Sequence, residues 1–150
     1  MDKYLDRKLS AKERAKDLLS KLSLEEKVRQ ISCSSVMMIM PLDMQDLNNG
    51  TGGATIGLGS GGKFLDDVKT VQDYIINHSP HRIPALIHAE GLAGPVCLFG
   101  GNQYPVSIGL GATFEPKIVE QMSYYTRKQL AANGVRHALS PVSDLSRDLR

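Results

Sequence analysis

The sequence has few cysteines, no long apolar run and no block of charge of one sign. Its two cysteines, Cys33 and Cys97, sit far apart and form no metal-ligand spacing. That excludes a cysteine-built zinc site, no metal or other cofactor is expected, and free buried thiols in a reducing compartment are the simplest account. The apolar run "VMMIMP" is far shorter than the roughly 20 residues that cross a bilayer as a helix. The first residues, "MDKYLDRKLSAKER", are charged and lack the apolar centre of a signal peptide, so a cytoplasmic location is expected. Net charge is +2, from 18 basic and 16 acidic residues, without basic clusters. Nucleic acid and membrane surfaces therefore have no electrostatic footprint here. Neither an internal repeat nor a low-complexity segment breaks the chain.

What is present is ordinary for a soluble globular protein: 41 % hydrophobic and 23 % charged residues over 150 positions. That length buries one core, so residues 1–150 read as one unit. Ser10 is placed to cap a helix through "AKERAKDLLSKL", with Ala15, Leu18, Leu19 and Leu22 on one face. Ser23 and Glu26 make a capping box before "LEEKVRQI", each side chain satisfying an otherwise orphan N–H of the other. "SSVMMIM" reads as a buried strand or a short buried helix, and "MQDLNNG" as a short helix ended by Gly50. "ATI" is a short strand. The helix from about Leu65 to Asn77 carries an apolar stripe of Val68, Val71, Tyr74 and Ile75. "RIPALIHA" and "VRHALSPV" read as buried parallel strands. Between them, Ile118, Met122, Tyr125 and Leu130 give "EPKIVEQMSYYTRKQLAAN" an inward face. Strand and helix thus alternate after two N-terminal helices. That order implies an α/β fold of right-handed βαβ units on a parallel sheet, with chemistry beyond the carboxyl ends of the strands.

Three segments fall at those ends: "GLGSGG", "HAEGLAG" and "SDLSRDLR". The first, Gly57–Gly62, matches the dinucleotide fingerprint G-x-G-x-x-G, in which glycines let the backbone approach a pyrophosphate at a helix start. Asp66 and Asp67 oppose that use, because they place negative charge in the first turn of the next helix. A glycine loop serving backbone freedom alone is the favoured account, and a nucleotide-binding module is the alternative.

Four segments in order carry a resemblance: "RAKDLLSKLSLEEKVRQ", "RIPALIHAEGLAG", "YPVSIGLGATFEPKIVEQM" and "ANGVRHALSPVSDLSRDLR". From about Arg14 onward the chain resembles the N-terminal part of family 3 glycoside hydrolases. The resemblance implies the first half of a (β/α)₈ TIM barrel, with the glycine stretch in a loop at its mouth. It implies hydrolysis of terminal β-linked glucose or xylose with retention, which needs two carboxyl groups about 5–5.5 Å apart. A whole barrel takes roughly 250 residues. The expectation is therefore a truncated barrel, lacking the nucleophile and acid/base and inactive alone. The resemblance gives Glu90 the role of accepting hydrogen bonds from the sugar's hydroxyls, and Arg150 that of a second sugar contact. Leu149 stands where the family has proline, and Ala93 where many members have histidine.

The residues themselves agree with Glu90, since a carboxylate after a buried strand and beside a glycine can accept two hydroxyl bonds at once. His88 reads as a satisfied core histidine, Asp144 as a turn or helix cap, Arg147 and Asp148 as a surface pair, and Met37, Met38 and Met40 as core filler. No catalytic residue is assigned. The expected partner is a β-linked oligosaccharide or glycoside. The open edge of half a barrel also suits self-association, docking of a further C-terminal portion, or a non-catalytic interaction protein.

Overall fold

A computed structural model of the chain describes residues 2–36, 44–56, 63–96, 98 and 100–143. Helices α1 (Ala11–Lys21) and α2 (Leu24–Gln30) come first. Four strands follow, β1 (Cys33–Val36), β2 (Gly53–Ile56), β3 (Leu86–Glu90) and β4 (His137–Leu139). Helix α3 (Phe64–His78) lies between β2 and β3, and α4 (Ser107–Gly111) and α5 (Pro116–Ala132) between β3 and β4. Turns of 3₁₀ helix occur at Lys3–Leu5 and Met44–Leu47.

Local chemistry accounts for the helix starts. Both N-terminal helices open with a complete capping box, Ser10 with Glu13 and Ser23 with Glu26. Pro116 opens α5, where its missing N–H costs nothing, and Gly134 closes it at φ +82°. The N-terminal segment is fastened back onto α1: Tyr4 N–H donates to Asp17 and Arg14 Nε donates to the Tyr4 carbonyl.

All strand pairs are parallel and the sheet order is β1-β2-β3-β4. Burial alternates along β2 and β3, so one face is packed and the other open. Ala54, Ile56, Ile87 and Ala89 face the packed side, against Phe64, Val68, Val71 and Ile75 of α3 and Leu130 of α5. Val71 and Ile75 are wholly buried, and each such side chain contributes about 1.5–3 kcal/mol. A sheet in chain order whose connecting helices α3 and α5 pack on one face is singly wound, the arrangement of the first strands of a (β/α)₈ barrel. A dinucleotide-binding sheet instead reverses its strand order at the ligand crevice and carries helices on both faces. The strand order here has no such reversal, which removes the main structural support for the nucleotide-binding alternative.

Several expectations need correction. The two strands read as buried throughout are not: β3 alternates, and all three residues of β4 are exposed. β4 is an edge of the described sheet, so nothing beyond it excludes water. On α5, Met122 and Leu130 are buried as expected, but Ile118 and Tyr125 are exposed at 43 % and 53 %. Helical spacing puts them on a shared stripe, yet the sheet reaches only part of it. On α1, Leu18 is half-buried, while Ala15 and Leu19 face water. Cys33 is exposed rather than buried. The glycine loop 57–62, Cys97, the methionines 37, 38 and 40, and residues 144–150 with Asp144 and Arg150 lie outside the described residues.

Candidate functional site

Glu90 ends β3 and is exposed. It pairs in register with Leu139 of β4, and His88 pairs with His137. Side chains alternate along a strand, so Leu86, His88 and Glu90 of β3 share the open face, with His137 and Leu139 of β4 beside them. The carboxylate thus stands at the carboxyl end of a central strand, on the face that helices leave free.

The segment after Glu90 is built rather than loose. Gly91 is buried. Gly94 adopts φ +101°, and a Cβ there would lie 2.2 Å from the Asn102 carbonyl oxygen. The backbone crosses itself at that point, which only glycine permits. Tyr104 N–H donates to the Ala93 carbonyl, and Asn102 N–H donates to the side chain of Gln129 on α5. These bonds close Tyr104 back onto Ala93 and tie Asn102 to α5. The start of α3 is also occupied: Asp67 is buried there, and Asp66 is exposed 3.6 Å from Lys69. A phosphate at this helix start would meet two carboxylates.

Below Glu90 the open face carries a contact that the sequence did not disclose. Cys33 Sγ lies 2.8 Å from His88 Nε2, although β2 runs between their strands. Gly53 makes this possible. A Cβ at Gly53 would lie 3.6 Å from His88 Cδ2 and 3.9 Å from Cys33 Cβ, so any larger side chain would fill the space between them. His88 is only half-buried, and its Nδ1 is enclosed without a hydrogen-bond partner among the described residues. It is not the satisfied core histidine expected. Burial lowers its pKa from the usual imidazole value, the neighbouring His137 lowers it further, and Glu90 acts in the opposite sense. The only signal in the sequence was the glycine at 53, which has no meaning until the register is known. Among the described residues no group of three or more ligating side chains is arranged to hold a metal ion. Nor is any helix there long and apolar enough to cross a membrane.

Comparison with known proteins agrees with this architecture. Residues 23–150 match the model of the glycosyl hydrolase family 3 N-terminal domain. The chain is 29 % identical to a protein named probable β-glucosidase C of Aspergillus flavus, over 98 % of this chain and 26 % of that one. It is 26 % identical to a periplasmic β-glucosidase of Salmonella typhimurium, over 89 % of this chain and 17 % of that protein. A β-glucosidase of Erythrobacter marinus superimposes with a TM-score of 0.74 at 26 % identity, over 93 % of this chain and 20 % of that one. The chain spans about a quarter or less of each of these relatives. With the sequential parallel sheet and the family match over 23–150, the chain belongs to glycosyl hydrolase family 3, within its N-terminal domain.

Proposed function

We propose that this chain supplies the opening strands of the barrel of a retaining β-glycosidase, with part of the subsite for a terminal β-linked glucose or xylose. Glu90 accepts hydrogen bonds from two hydroxyls of that sugar, and Arg150 adds a second contact. The observation that carries the reading is the position of Glu90: a carboxylate at the carboxyl end of β3, on the open face of a singly wound sheet. Barrel enzymes place their chemistry at that end. The β-glucosidases among its relatives supply the substrate class. The reading assigns neither nucleophile nor acid/base to residues 1–150, so the chain binds sugar without turning it over.

The test is a titration of the chain with methyl β-glucoside and methyl β-xyloside, followed by NMR of backbone amides, with NAD in a parallel arm. Shifts confined to the end of β3 and residues 91–104, absent in Glu90→Ala, are the expected result. No response to either sugar, or the same response in Glu90→Ala, overturns the proposal. A response to NAD alone restores the nucleotide-binding alternative.

A further inference from the structure

We propose that Cys33 and His88 form a thiol–imidazole dyad that exchanges with small disulfides, making Cys33 a modification site on the open face of the sheet. A nucleophile within hydrogen-bond reach of a base is the arrangement that activates a thiol. Here the two are 2.8 Å apart, on β1 and β3, across the gap that Gly53 leaves. Cys33 is exposed, so a disulfide can reach the sulfur. Among the described residues, His137 on β4 and Glu90 on β3 act on His88, and the Ser34 carbonyl on β1 is a second acceptor for the thiol hydrogen at 3.6 Å. Burial and His137 both favour the neutral imidazole, and its Nε2 faces the thiol whose proton it accepts.

The step balances without an outside oxidant. His88 Nε2 takes the Cys33 proton, and the thiolate attacks one sulfur of a disulfide R–S–S–R. The new bond joins Cys33 to S–R as the old S–S bond breaks. The leaving thiolate takes the proton from His88 and departs as R–SH. The dyad does not depend on the role assigned to Glu90.

The experiment treats the intact chain at pH 7 with 4,4′-dithiodipyridine. Modification of the peptide containing Cys33 is followed by mass spectrometry, which separates it from Cys97. Glutathione under the same conditions is the reference thiol. Cys33 is expected to react about tenfold faster than the reference, a modest share of what a positioned base supplies in an enzyme. Its rate should bend with pH where His88 titrates. His88→Gln, with an unchanged circular dichroism spectrum, should lower the rate to the reference and restore the pH profile of an ordinary thiol. A wild-type rate no greater than the reference overturns the proposal without any variant. An unchanged rate in folded His88→Gln overturns it as well.

Discussion

Gln72 on α3 pairs its side-chain amide with both backbone groups of Ala85: Nε2 donates to the Ala85 carbonyl at 2.7 Å, and Oε1 accepts from the Ala85 N–H at 3.0 Å. Ala85 is buried and precedes the first residue of β3. The glutamine therefore stands in for a neighbouring strand at the point where β3 enters the sheet. Gln72→Leu is expected to cost about 1–3 kcal/mol, because it strands a donor and an acceptor away from water. Urea denaturation of the two chains measures it. A change below the error of the method would mean that water replaces the amide.

Gly94 sets the shape of the segment that follows Glu90. Gly94→Ala must abandon φ +101° and separate its Cβ from the Asn102 carbonyl. The backbone alone costs about 1–2 kcal/mol, and the displaced loop should also weaken the sugar binding proposed for Glu90. Gly100→Ala is the control, since a Cβ there meets nothing within 4 Å, although its φ of +79° still carries the conformational cost. Melting and sugar titration of both variants should show the sugar effect at Gly94 alone.

Stability should fall on acidification in two stages. His88 in the unfolded chain titrates near its ordinary value of about 6.5. In the folded chain burial, then His137, lowers that value, so the unfolded chain takes up the proton first. Stability is then fully present above about pH 6.5 and declines as pH falls toward the lowered folded value. Glu13 and Glu26 make the second stage. Hydrogen bonds from Ser10 and Ser23 hold both carboxyls below their usual range, so their contribution is lost as pH falls through those lowered values. His88→Gln should remove the upper stage and leave the lower one. Denaturation midpoints from pH 8 to pH 3 decide this.

Association is the fourth expectation. Phe114, Ile118, Tyr125, Leu139 and Val142 are all exposed, along α5 and the open edge β4. A groove of about 430 Å³ lies between α5 and β4, lined by Thr126, Leu130, Val135, Ala138 and Pro141. At ~25 cal/mol per Å² of apolar surface, covering this region is worth several kcal/mol. Sedimentation of the chain should show mass rising with concentration, and Ala138→Lys should weaken that rise. A monomer at every concentration would show that the face is stable in water.

Signals confined to a few neighbouring residues were legible in the sequence. The Ser23–Glu26 box, the extent of α3, the glycine closing α5 and the placement of Glu90 at the end of a strand all depend on short-range chemistry. What depended on distant partners was not. Periodicity identified the stripe of α5 but not how far the sheet would cover it, so Ile118 and Tyr125 were misplaced. Cys33 and His88 stand 55 residues apart and meet only because Gly53, in register with Cys33 and Leu86, leaves the space beside the His88 ring empty. The helix Ser107–Gly111 escaped notice because two glycines occupy its five positions.

The alternation in β3 divides labour between neighbours in "LIHAE". Ile87 and Ala89 belong to the helix layer, while His88 and Glu90 meet solvent. Deleting one residue from this strand would therefore do more than shorten it. Beyond the deletion every side chain would change sides, turning the Glu90 carboxylate toward Val71 and Ile75 and an alanine toward the open face. A residue on the open face can be exchanged singly without disturbing the core, whereas a change of one in the length of β3 disturbs both faces at once.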